Sequence, residues 1–250
     1  MRKMGIIVVV IGIVVVLAAG SGWLACGGWK QIGTRFEDDA SFDAAITEIR
    51  AAGGSVDVEL RPGTESGIRI HRTVRYLNPL HERPGPTSRI DGTVLRLGSD
   101  DSCTFCAVEY VVVAPAGVRV SADVGTGSLN VTGASTVDVK VSTGSITVTD
   151  ATGDVTARAE TGSITGRGLR SGAVVAAAKT GAISLDLAAP ADVEATTSMG
   201  RVQLRVPPAT YRVDATTGLG KADVRIANDP NGRYRLALRA GTGDVVLDAH

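Results

Sequence analysis

Seven glycines recur through the carboxyl-terminal half of this 250-residue chain, at Gly127, Gly144, Gly162, Gly181, Gly200, Gly220 and Gly243, between 17 and 23 residues apart. Their surroundings recur with them. Seven positions before each glycine stand Val120, Val137, Val155, Val174, Val193, Val213 and Leu236, and five before stand Ala122, Val139, Ala157, Ala176, Ala195, Ala215 and Leu238. Two positions after come Leu129, Ile146, Ile164, Ile183, Val202, Ala222 and Val245, and four after come Val131, Val148, Gly166, Leu185, Leu204, Val224 and Leu247. The positions between these columns are polar or variable, as in Asp138, Lys140, Thr156 and Arg158 on one side of the glycine and Asn130, Thr147, Thr165, Ser184 and Gln203 on the other. Such period-two alternation marks strands with one face in a core and one in water.

Each repeat therefore reads as strand, glycine turn, strand, loop. One pair of short strands buries too little to stand alone, whereas identical units stacked on one another share a continuous core. The expected fold is all-β, a right-handed β-helix-like β-solenoid of about seven to eight coils of roughly 17–20 residues. Alternation alone leaves open an antiparallel sandwich in which the Thr-Gly turns close hairpins. Upstream, Phe42, Ala45, Ile46 and Ile49 have helical spacing, but Gly54 followed by Val56 and Val58 also matches the later repeats, and the stretch is taken as a degenerate first rung aligned on Gly54. Pro79, Pro84 and Pro86 mark an excursion before strand patterns resume at 93–97, 107–114 and 118–124. Asp229-Pro230-Asn231-Gly232 reads as a turn that lengthens the last coil.

From Met4 to Trp29 the chain carries no charge, with Arg2 and Lys3 before and Lys30 after. That length suits one transmembrane helix, the amino terminus inside and the rest of the chain exported. Two other readings remain: signal cleavage near Ala18-Ala19-Gly20, and lipidation at Cys26, where Trp23-Leu24-Ala25-Cys26 has a bulky residue at the first lipobox position. The organisation expected is a membrane segment over 1–29, a linker over 30–40 containing Glu37-Asp38-Asp39, an irregular β half over 41–116 and regular repeats over 117–250, the last two forming one domain. In an oxidising compartment Cys103 and Cys106 read as a structural disulfide that clips a turn.

Composition narrows the function. Twenty-six Lys and Arg balance 26 Asp and Glu, which argues against a nucleic-acid partner. With 3 His and 3 Cys, no metal site or cofactor is expected. No nucleophile elbow, P-loop or zinc-protease helix motif appears, and the outward carboxylates, such as Asp138 and Asp214, fall in separated repeats, so no catalytic residues are assigned.

The glycine-punctuated repeat, the Cys103-Thr104-Phe105-Cys106 pair, the segment from Tyr110 to Gly117 and the amino-terminal apolar run together resemble the bacterial "putative adhesin" family of unknown function, with its toast-rack, single-stranded right-handed β-helix ectodomains, over residues 40 to 250. The resemblance implies an extracytoplasmic, non-enzymatic protein held at the cell membrane by a single pass, whose partner is an envelope protein or a cell-wall polymer. Three roles are weighed: an adhesion-like or scaffolding module, an accessory of an envelope stress response, and a polysaccharide-active β-helix enzyme. From Gly117 onward only Tyr211 and Tyr234 are aromatic, so a ring ladder for sugar stacking is missing, and recognition is expected through Thr, Asp and Arg.

Overall fold

The computed structural model describes residues 34–64, 67–76, 87–98 and 106–250. Its strands are, in chain order, β1 (Thr34–Phe42), β2 (Glu48–Gly63), β3 (Ile68–Tyr76), β4 (Ser88–Asp91), β5 (Val94–Gly98), β6 (Ala107–Pro115), β7 (Arg119–Thr126), β8 (Leu129–Thr132), β9 (Thr136–Thr143) and β10 (Ile146–Thr149). They continue as β11 (Val155–Thr161), β12 (Ile164–Leu169), β13 (Ala173–Thr180), β14 (Ile183–Leu187), β15 (Asp192–Met199), β16 (Val202–Val206), β17 (Tyr211–Leu219), β18 (Ala222–Val224), β19 (Tyr234–Thr242) and β20 (Val245–Ala249). The described residues are all-β, and the repeats stack as parallel, in-register strands in a solenoid-like sheet, not as antiparallel hairpins. The expected membrane segment, Cys26 and Cys103 lie outside the described residues, and no helix among those described is long and apolar enough to cross a membrane. Cys106 is disulfide-bonded.

The glycine columns explain the stacking. Gly144 and Gly162 have φ of 143° and 142°, a region L side chains rarely adopt. A Cβ on Gly144 would fall far inside contact with the carbonyl oxygen of Gly127, and one on Gly162 inside that of Gly144. The corner is thus a ladder of bare backbones, tied by N–H groups of Gly144 and Gly162 donating to the carbonyls of Thr161 at 2.9 Å and Thr180 at 2.8 Å. Either side of it, the apolar columns meet inside: Val137, Val155, Val174 and Val193 are at most 3% exposed, as are Ile146, Ile164 and Ile183. Each such aliphatic side chain contributes about 2 kcal/mol through burial.

Stacking order departs from chain order at both ends. At the carboxyl end, β15 pairs with β19 and β19 with β17, while β16 pairs with β20 and β20 with β18. The last coil is therefore inserted beneath the penultimate one, and the glycine ladder runs Gly181, Gly200, Gly243, Gly220. The Asp229–Gly232 turn, closed by the Gly232 N–H on the Asp229 carbonyl at 2.8 Å, lies in the connection that brings the chain back one level. Val213, Ala215 and Val224 are consequently only half-buried or exposed, because β17 and β18 end the stack.

At the amino end, β2 runs through both faces and is itself an internal rung. Its first half pairs with β5 and β7, its second with β6 and β8, all parallel. Its register corrects the alignment on Gly54: Ser55 faces Thr126, which puts the buried Val56, not a glycine, at the corner, and Val58 and Leu60 opposite Leu129 and Val131. A slip of two keeps the same face inward, so period-two patterning could not separate the two alignments. Residues 34–40 of the expected linker are strand, since β1 pairs antiparallel with β3 over its whole length. The helical spacing after Ser41 yields no helix, because Ile46 and Ile49 are drawn into the solenoid core.

Arg72 holds this amino-terminal cap. Its side chain is 4% exposed, forms a two-pronged hydrogen-bonded ion pair with Asp38, donates to Thr87 at 3.2 Å and lies over the Phe36 ring. Tyr110, which also bonds Thr87, donates to the Gly98 carbonyl at 2.8 Å. The same cap joins His71 to Asp39 at 2.8 Å.

Candidate functional site

The outward face formed by β8, β10, β12, β14 and β16 carries the solenoid's most continuous polar surface. Parallel in-register pairing places Asn130, Thr147, Thr165, Ser184 and Gln203 in one row along the stack. Neighbouring strands are about 4.8 Å apart, so the row offers donors and acceptors at that repeat. A second row beside it holds Thr132, Thr149 and Arg167, then Asp186 and Arg205.

A recess of about 460 Å³ lies between the rows, lined by Thr165, Arg167, Ser184, Asp186, Gln203 and Arg205 with Gly166 and Gly168. Its cause is a register shift in β12 between Gly166 and Leu169. Gly166 occupies an interior column yet has no side chain, and a Cβ there would stand 2.8 Å from Leu169 Cδ1 and 2.9 Å from Leu185 Cδ2. Leu169, fully buried, thus fills the vacancy from two residues downstream of Arg167, which leaves Arg167 and Gly168 bulged outward. The sequence held the signal for this, since Gly166 is the one glycine in its apolar column.

The charged row alternates in sign. Asp186 pairs with Arg205 at 3.6 Å, Arg205 faces Asp248 in register, and Asp248 bonds Arg225 at 3.1 Å. Two outward columns nearer the corner, Asp244 lies between Arg201, at 3.1 Å, and the backbone N–H of Lys221, also at 3.1 Å. The Lys221 N–H and then the Arg201 guanidinium hold its carboxyl below the usual range. Both triplets exist because the last coil is inserted below the penultimate one; in chain order two cations would be adjacent in each.

The structure keeps the sequence-assigned glycines together as one ladder, whereas it distributes the acidic residues. Asp138 and Asp214 stand five strands apart in a row that passes between them through Thr156, Val175, Glu194 and Ala237. Among the described residues no group of three or more His, Cys, Asp or Glu side chains is placed to hold a metal ion. What the arrangement can do is form hydrogen bonds and charge-assisted contacts with an extended partner.

Fold and surface together define a class: parallel β-solenoids whose corners are backbone ladders and whose outer faces are polar rows. In fold the chain is similar to solved structures from three bacteria. A "putative cell adhesion protein" of Clostridium sporogenes matches with 12% identity and a TM-score of 0.37, over 87% of this chain and all of that one. A "putative adhesin" of Bacteroides fragilis matches with 13% identity and a TM-score of 0.45, over 86% of this chain and 97% of that one. One of Parabacteroides distasonis matches with 16% identity and a TM-score of 0.31, over 87% of this chain and 98% of that one. No protein-family model and no curated protein matches the sequence.

Proposed function

We propose that this protein is a non-enzymatic, extracytoplasmic interaction module of the cell envelope, adhesion-like or scaffolding, wound as a right-handed β-helix and held to the membrane by its amino-terminal apolar run. The observation that carries the reading is the unbroken polar row from Asn130 to Gln203 with the recess beside it, mounted on a core with little freedom to move. A rigid surface with repeating donors and acceptors loses little entropy when it binds an extended chain or another protein. The partner is an envelope protein or a cell-wall polymer, recognised through Thr, Ser, Gln and Arg.

A second reading, an accessory of an envelope stress response, is favoured by the amino-terminal cap. Strand β1 begins at Thr34, shortly after the apolar run ends at Trp29, and is locked to β3 through Asp38 and Arg72. A strand fixed to the β domain this close in sequence to the apolar run would couple displacement of the domain to the membrane segment.

The test is photo-crosslinking of the full chain in living cells, with probes at Lys140, Arg158, Thr196 and Gln203. Recovery of wall polymer or of neighbouring-cell material supports the adhesion-like role. A membrane sensor recovered instead supports the second reading. Absence of any specific adduct, or turnover of an envelope polymer by the purified chain, would overturn the proposal.

A further inference from the structure

The other outward face holds a charge arrangement that the alternating rows avoid. Arg212 on β17 and Arg235 on β19 are in-register partners on adjacent parallel strands, so two guanidinium-bearing side chains leave the same face about one strand spacing apart. Arg233 joins them from the turn that leads into β19, its guanidinium over the Tyr234 ring at 5.4 Å from the centroid. Behind it the Tyr234 ring meets that of the buried Tyr211, at 6.1 Å between centroids, and the Tyr211 hydroxyl donates to the Pro207 carbonyl at 2.8 Å.

These three arginines line a recess of about 310 Å³ together with Asp192, Glu194, Val175 and Ala237. Among the described residues none of the three makes an ion pair. Asp192, the nearest carboxylate in register, uses Oδ1 to accept the backbone N–H of Arg235 at 2.7 Å rather than a guanidinium. Elsewhere on the carboxyl-terminal rungs outward arginines do find carboxylates, as Arg201, Arg205, Arg225 and Arg239 show. Adjacent like charges on paired strands are unfavourable by themselves. An oxyanion between them converts the repulsion into charge-assisted hydrogen bonds.

We infer that the Arg212–Arg233–Arg235 recess is a binding site for an oxyanionic group, a phosphate or a carboxylate. The inference goes beyond the interaction reading, because the site would take such a group whichever partner carries it. Its place near the end of the stack, on the face opposite the recess of β12, leaves both open at once.

The experiment is calorimetric titration of the full chain with inorganic phosphate and, separately, with glucuronate, repeated on Arg212→Gln/Arg235→Gln and on Arg61→Gln, an exposed arginine of β2 outside both recesses. The site predicts saturable binding of at least one probe, weakened ~10-fold or more in the double variant and unchanged in Arg61→Gln, with salt lowering the affinity. Preference for phosphate points to a phosphorylated polymer or headgroup as the natural source, and preference for glucuronate to an acidic sugar. No saturable binding of either probe overturns the inference, as does binding that the double variant retains. Unaltered melting of the unliganded variants verifies that the loss is not one of folding.

Discussion

Arg225 and Asp248 form an ion pair at 3.1 Å although Arg225 belongs to the penultimate coil and Asp248 to the last. Asp248 faces Arg205 on its other side, so one carboxylate separates two cations. Charge order thus agrees with the inserted position of the final coil, and repeats the agreement at Arg201, Asp244 and Lys221.

Charge reversal tests that agreement. Asp248→Lys would leave three cations in succession along the row, and the melting temperature should fall by a few degrees in low salt. Since the groups are solvent-accessible, about 1 M salt should restore most of the loss. Adding Arg225→Asp should recover stability, and a double-mutant cycle in low salt measures the coupling.

Hydrogen exchange should rank the last coil above the one before it. β19 and β20 have neighbours on both edges, whereas β17 and β18 have them on one. Amides of β19 and β20 are expected among the most protected, and those of β17 and β18 among the faster exchangers of the repeat region. Protection that simply declines toward the carboxyl terminus would contradict the insertion.

Gly162→Ala should be severe and Gly54→Ala mild. At Gly162 the new methyl collides with the Gly144 carbonyl and the residue is held at positive φ, so a loss of about 4 kcal/mol or failure to fold is expected. At Gly54 nothing lies within 4 Å of the added carbon. Denaturant melts of the two variants measure the contrast.

Asp38→Ala leaves Arg72 buried without its carboxylate partner and should cost about 3 kcal/mol. A double variant in which Arg72→Met accompanies it should recover part of the loss, because the buried guanidinium that Asp38 balances is gone as well. Limited proteolysis would register the same defect as earlier cleavage near β1.

Alkaline stability should depend on Tyr110. Burial raises its phenol above the ordinary value near 10, against the hydrogen bond to Thr87, the charge of Arg72 and the Gly98 carbonyl contact. The folded state therefore retains a proton that the unfolded chain gives up. Its contribution is complete below the unfolded value and is lost as pH rises through the higher folded one. Tyr211, also raised by burial, acts in the same direction. Unfolding free energy should decline above about pH 10, less steeply in Tyr110→Phe, and fluorescence melts across that range would show it.

The repeat itself was legible in residues. A glycine every 17 to 23 positions, flanked by Val, Ala and Ile at fixed offsets, can satisfy both its alternation and its corner only by stacking, and the observed pairs Val155 with Val174 and Ile164 with Ile183 are the columns read from the sequence. Gly166 marked the recess of the polar face in the same way, as a gap in an apolar column. Other features lay beyond that reading. Glu37-Asp38-Asp39 looked like a solvated linker because its partners, Arg72 and His71, are more than 30 residues away. The corner of β2 could be placed two residues wrong, since a shift by an even number preserves which side chains point inward.

Composition of each coil was fixed by the chain alone, and so was the face each residue presents, because alternation of apolar and polar side chains is a local property of a strand. Which coil lies on which was decided only by the folded whole. Val213 and Leu236 both suit a place above Val193, and Leu236 takes it in an arrangement where carboxylates at 244 and 248 meet groups at 201, 205, 221 and 225, contacts between separate coils that no local window contains.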